Sequence, residues 1–325
     1  MIHLAKAALD AGGKIQPLII PSEMTNGTGL FNPSIYNDNG KLYFNLRHCQ
    51  YTLYSAELGI HEHPYGPLLY FNPENDLTLT TTNFFGELND DLTIKWFHKV
   101  DTSKLDIPPV WEFVGLEDAR IVKWDNKIYI SGVRRDTKTN GEGRMELSEL
   151  EITEHSVKEV SRFRIPAPFK DDSYCEKNWM PIIDKPYHYW KWCNPVEIVK
   201  ADPINKTCEQ VYLGNEYFFN TDQRGSGQVI PFEDGYLMLI HETSLYNSEL
   251  GKKNGTYRHK FIYWSKDYRV ISVSKIFSFL DAKIEFAAGL AEQGNDFLIT
   301  FGFQDNTAYV IRCPKTVVKD MLNAR

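Results

Sequence analysis

The chain has 325 residues, 42% hydrophobic and 24% charged, the balance of a folded globular protein able to bury a sizeable core. A net charge of −7 argues against the basic face that nucleic-acid binding needs, and no run approaches the roughly 18 apolar residues of a membrane span. The opening Met1–Asp10 lacks the apolar stretch of a secretion signal. The five scattered cysteines form no C-x-x-C pair, so the expectation is reduced thiols in a cytoplasmic protein.

Residues 1–25 read as a lead-in that closes the fold or caps one end. Five hairpins of one design then follow, in residues 31–47, 116–132, 176–190, 225–242 and 285–302. Each opens on polar or small residues and runs into an apolar strand, a tight turn and a second, more hydrophobic strand. The turns fall at Asn39-Gly40, Asp125-Asn126, Asp184-Lys185-Pro186, Asp234-Gly235 and Gly294-Asn295, residue types that tolerate positive φ. Outer strands are expected at 50–56, 145–152, 155–164, 197–200, 210–213, 259–265 and 270–277. A short helix over 317–323 closes the chain within a tail of residues 315–325. Repetition of one supersecondary unit predicts an all-β, five-bladed β-propeller spanning 1–325 as one domain, with the openings of the repeats converging on its axis.

Polar residues recur where those repeats open and end. Glu117-Asp118-Ala119-Arg120 places two carboxylates and a guanidinium at the opening of the second, with Asp118 and Arg120 on one face by the period of two. Arg47, Arg134-Arg135, His241-Glu242 and Gly302-Phe-Gln-Asp305 stand at matching repeat ends and suggest one shared rim. Aromatics such as Trp111, Trp179, Trp190, Trp192 and Tyr257 offer flat faces suited to sugar rings, although most aromatics belong to the core. His61-Glu-His63 lacks a third metal ligand, and His241-Glu242 is not H-E-x-x-H. Gly225-Ser-Gly227 lacks the dinucleotide fingerprint, so neither a metal nor a cofactor is expected.

Taken together the set resembles glycoside hydrolase family 130, the β-mannoside phosphorylases and β-1,2-mannosidases, along with related mannosyltransferase propellers. Gly115-Leu-Glu-Asp-Ala-Arg120 is similar to that family's G-x-E-D-P-R motif, with Ala119 in place of proline. Phe31-Asn-Pro-Ser34 with Arg47, the stretch from Gly227 to His241, and that from Phe286 to Asp305 resemble its other signatures more loosely. Glu176-Lys-Asn-Trp-Met-Pro181 departs from its third-blade pattern, and Ile240 stands where an aromatic often precedes the histidine, as in a divergent member.

The resemblance implies inverting cleavage or transfer of a glycosyl unit, mannosyl by preference, with Asp118 as proton donor acting through a sugar hydroxyl. Glu117 is implied beside it, and Glu242 or Glu285 would be the base of a hydrolase. Asn32, Ser34, Arg47, Arg120 and Asp305 are the implied substrate-binding residues, and Trp179 and Tyr257 join them for their aromatic faces. Arg134, Arg135, Lys177 and His241 would hold phosphate in a phosphorylase, or donor phosphates in a glycosyltransferase. The implied partners are an oligosaccharide or glycoside and inorganic phosphate. A non-catalytic carbohydrate-binding propeller is the alternative.

Overall fold

The computed structural model describes residues 1–55, 68–71, 76, 78–169, 174–216, 219, 221, 223–247 and 253–323. The fold is all-β, with two short α-helices among the described residues, Leu4–Asp10 and Lys315–Asn323. The second is the helix expected at the C-terminus. It seats Val318, Met321 and Leu322 in the core, a spacing of three and four that puts them on one helix face. No helix among the described residues is long and apolar enough to cross a membrane. All five cysteines are free thiols, as expected.

Each hairpin of the sequence becomes the inner part of an antiparallel meander. The first runs Leu30–Asp38, Lys41–Cys49, Leu79–Leu88 and Ile94–Asp101. The second runs Leu116–Trp124, Lys127–Arg134, Arg144–Ile152 and Val157–Arg164. The third runs Met180–Pro181, His188–Cys193, Val196–Asp202 and Thr207–Leu213. In the fourth, Gln223–Gly225 and Ile230–Phe232 both pair with Gly235–Asn247, which pairs with Lys253–Ser265. The last runs Glu285–Gln293, Asp296–Phe303 and Thr307–Pro314, and takes Lys14–Pro17 from the lead-in as its outer strand.

Two expectations need correction. The outer strands of the first meander are 79–88 and 94–101, whereas Thr52–Ser55 pairs with Leu68–Phe71 in a separate ribbon. Ala56, His61 and His63 lie outside the described residues. The fourth turn sits on Glu233-Asp234, one residue earlier than expected, because Gly235 is needed in the strand: a Cβ there would lie 1.9 Å from the Trp264 carbonyl oxygen.

The inner strands converge. The fully buried Gln228 amide donates to the carbonyls of Ile35 and Ile121, both at 2.8 Å, and accepts from the Leu290 N–H at 3.0 Å. One side chain thus bolts three other meanders together. The third joins through the Ile182–Val229 bridge and the Trp124 indole N–H on the Ile182 carbonyl. An amide at such a centre stays only when fully satisfied, as this one is.

Candidate active site

The site is built from bulges at the openings of the inner strands. The register slips between Phe31 and Ser34 and between Glu117 and Arg120, and the extra residue at each slip, Asn32 or Asp118, has positive φ, 47° and 49°. Asn178 opens the third strand with φ 63°, and Asp305 follows the last hairpin with φ 49°. Asn and Asp tolerate this region better than other side chains, and such outliers gather at functional sites. Gly132 makes the second bulge possible. A Cβ there would sit 2.2 Å from the Glu117 carbonyl oxygen.

These bulges bring together residues far apart in sequence. Asp118 Oδ1 accepts from Asn32 Nδ2 and from Arg47 Nη1, each at 2.8 Å, and neither bond goes to Oδ2. Arg47 is 6% exposed, lies over the Phe31 ring, donates from Nε to Thr81 and sits 3.6 Å from Glu117 Oε2. Asp305 acts electrostatically on the same group. Tyr257 feels Asp305 and Asp118, and stacks on His241 with ring centres 5.7 Å apart. Arg47, Asp118, His241, Tyr257 and Asp305 therefore share one end of the converging strands.

Arg120 is the frame of this site rather than part of its face. It is 1% exposed and spans three meanders, donating to the carbonyls of Ser226 and Asp118 and to the Asn178 side chain. Ser34 is likewise structural, its buried hydroxyl accepting from the Ile121 N–H.

Three carboxyls face one guanidinium, and their environments separate them. Burial pushes Asp118 up, but Arg47, Arg120 and the Asn32 amide outweigh it and hold the group below the usual carboxylate value. Burial raises Glu117, only partly offset by Arg47. Burial also raises Asp305, helped by Asp118 and Glu117 against Arg47, and pushes it up to about 6. Burial, with His259 and Arg224 nearby, holds His241 neutral, and its Nδ1 pairs with the Ser226 hydroxyl at 3.1 Å.

A stability prediction follows for Asp305. Its folded value lies above its unfolded one, so the native state binds the extra proton and wild-type stability declines as pH rises from about 4 through about 6. Asp305→Asn should therefore be more stable than wild type at pH 7–8, by on the order of 2 kcal/mol, with the gain vanishing below about pH 4. Urea melts at pH 4 and pH 8 measure it; equal differences at both would count against it.

Several expected residues lie elsewhere. Glu285 is fully buried and accepts from the N–H groups of Phe279, Leu280 and Ala282. It holds a loop and is closed to substrate. Glu285→Ala should cost roughly 1–3 kcal/mol by orphaning those donors, while kcat of the folded variant stays near wild type. A large kcat loss with unchanged stability would restore it as a base. Glu242 pairs with Lys260 at 2.8 Å and with Thr221, on the opposite face of its strand from His241. Trp179 is 1% exposed, with its indole N–H on Glu176, so it is core and offers no sugar platform. Arg134 is locked between Glu146 at 2.6 Å and Asp136 at 3.2 Å, which leaves it no freedom to hold phosphate.

Two of the expected cations do act on the cluster. Lys177 is exposed and acts on Glu117 and His241. Arg135 lies over Phe113, bonds Gly141 and Tyr174, and acts on Glu117. Arg224, which sequence reasoning missed, acts on His241 and Tyr257. It lies immediately before the Gly225-Ser-Gly227 opening of the fourth repeat, and nothing in its local pattern marks it.

The architecture and this cluster define the class: a propeller-like all-β fold with a buried polar cluster at the openings of its inner strands. It is the fold of the mannoside phosphorylases and related glycoside hydrolases. Similar structures include a β-1,2-mannobiose phosphorylase from Listeria innocua in complex with β-1,2-mannobiose. It is 15% identical over 96% of this chain and 97% of that one, with TM-score 0.55. A mannose phosphorylase from Leishmania mexicana in complex with phosphate is 12% identical over 96% and 93%, with TM-score 0.55. A structure of the family 130 mannoside phosphorylases, which contain glycoside hydrolases targeting β-1,2-mannosidic linkages in Candida mannan, is 13% identical over 89% and 85%, with TM-score 0.52. At such identities the likeness establishes the fold. The sequence matches no protein-family profile and no curated protein.

Proposed function

We propose that the five meanders are the blades of one closed propeller, and that the chain is a carbohydrate-active enzyme cleaving a β-mannoside with inversion, with phosphate as the attacking species. The observation that carries this is Asp118, pinned through Oδ1 by Arg47 and Asn32, with Oδ2 free of both bonds. Oδ2 is then the atom that meets a substrate hydroxyl. Asp118 passes a proton through that hydroxyl to the leaving oxygen as the glycosidic C–O bond breaks. A phosphate oxygen forms the new bond to the anomeric carbon, giving a sugar 1-phosphate.

The resting state supports a division of labour. Asp118 is held ionised, so it does not store the proton. Asp305, at about 6, is the group that holds one below about pH 6 and hands it to Asp118. Groups whose environments push their values apart are how one site runs acid and base chemistry together. The three carboxyls titrate as a coupled set. A phosphorylase is favoured over a hydrolase because Glu285 is sealed by three N–H groups and Glu242 is paired with Lys260, whereas Lys177 and Arg135 act on Glu117 in the cluster.

The test is incubation with β-1,2- and β-1,4-mannosides, with and without phosphate, reading released mannose and mannose 1-phosphate. Lys177→Ala should raise the KM for phosphate roughly tenfold or more, as loss of a charged hydrogen bond does, with the KM for mannoside little changed. Phosphate-independent release of free mannose would make the enzyme a hydrolase. No turnover with tight glycan binding would make it a binding module.

A further inference from the structure

We propose that the chain carries a second ligand site, for a neutral polyhydroxylated molecule of monosaccharide size, in the cavity between the first two meanders. This cavity, of about 320 Å³, is lined by Thr81, Asn83, Leu116, Asp136 and Ser148, with the exposed Lys99 at its edge. Its volume is at the lower end of small-molecule sites, roughly 300–1,000 Å³. Asp118 and Glu117 are not among its walls.

Two buried polar atoms in that wall have no partner. Asp136 is 5% exposed, and Gly115 N–H at 2.8 Å and Arg134 at 3.2 Å both use its Oδ2, leaving Oδ1 unbonded. Ser148, 1% exposed, has an unbonded hydroxyl. Buried polar atoms are rarely left unbonded, so each marks a place where a ligand atom or a bound water is held.

The ligand's chemistry follows from what is already neutralised. Arg134 is paired with Asp136 and Glu146, and Arg162 with Glu159 at 2.5 Å and Asp106 at 3.0 Å. Those pairs leave little field for an ion. What is open is a carboxylate oxygen, which accepts, and a hydroxyl, which does either. Threonine hydroxyls and the apolar faces of Val100, Val114 and Leu116 complete the wall. Hydroxyl groups on a compact carbon frame satisfy that set: one O–H donates to Asp136 Oδ1 and another bonds Ser148.

The cavity is also mechanically joined to the axial cluster. Thr81 accepts from Arg47 Nε at 3.2 Å, and Asn83 donates to the Leu116 carbonyl at 3.0 Å, next to Glu117. A ligand here grips the segment that presents the carboxylates. The proposal does not depend on the reaction assigned above, since its readout is binding at a place the axial site does not share.

The experiment is a crystal soak in D-mannose, with glycerol as a smaller polyol, on wild type, Ser148→Ala and Ser148→Met. The expected result is a sugar in the cavity with a hydroxyl on Asp136 Oδ1. Its affinity by calorimetry should fall roughly tenfold in Ser148→Ala, the worth of one hydrogen bond. Ser148→Met should exclude it, and Ser148→Ala guards against a folding defect in the larger change. Water alone in the cavity at saturating mannose overturns the proposal, as does a bound sugar indifferent to Ser148→Ala. Failure of every mannoside assay with sugar still seen here would sink the assigned reaction and leave this site standing.

Discussion

Asp118→Asn should lower turnover on a mannoside by roughly 10²–10⁴-fold, the usual worth of a positioned acid, with little change in melting temperature. The substitution keeps the carbonyl oxygen that accepts from Asn32 and Arg47, so the bulge and its partners persist. What it removes is a group able to carry a proton. The pH profile supplies a second readout. If Asp305 stores the proton, wild-type kcat should be high below about pH 6 and fall as pH rises through it, because the storing group is then ionised. Asp305→Asn should abolish that limb. Full activity in the Asp118→Asn protein would remove its assigned role, and a flat wild-type profile would remove that of Asp305.

The other large effect is on stability. Arg47→Ala should destabilise the fold by roughly 3–5 kcal/mol at pH 7–8, the range for taking away one partner of a buried charge pair. Arg47 is 6% exposed and is the cation shared by Asp118 at 2.8 Å and Glu117 at 3.6 Å. Without it the three carboxyls repel one another in a buried setting and their folded values rise. A raised carboxyl takes up a proton as pH falls, so much of the lost stability should return by pH 4–5. Denaturant melts across that range decide it. A loss of the same size at pH 4 and pH 8 would mean that Arg47 acts through its packing on Phe31 rather than its charge.

The division between sequence and tertiary structure is clear in particular residues. Turn chemistry and alternation are local, and so were readable: Asp125-Asn126 takes φ of 49° and 62°, as a tight hairpin requires, and the apolar runs of all five repeats became inner strands. The cluster at Arg47, Asp118 and Asp305 was legible because repeated units place equivalent positions at one end, so a match in repeat phase stands in for a match in space. Arg134 and Arg135 are adjacent in sequence, yet one is locked in a buried ion cluster and the other acts on Glu117 in the candidate site. Only the strand's alternation and its neighbours decide which. Trp179, Glu242 and Glu285 have the right chemistry for a sugar site, and packing gives them other work. Whether a carboxylate meets substrate or three backbone N–H groups depends on loops that return from elsewhere in the chain, and local composition holds no record of them. The sequence by itself determined the repeat, its turns and the polar openings, all set by interactions within a few residues. The tertiary structure alone decided which polar side chains are spent on holding the meanders together, as with Arg120 and Gln228, and which are left free for chemistry, because burial and pairing depend on distant segments.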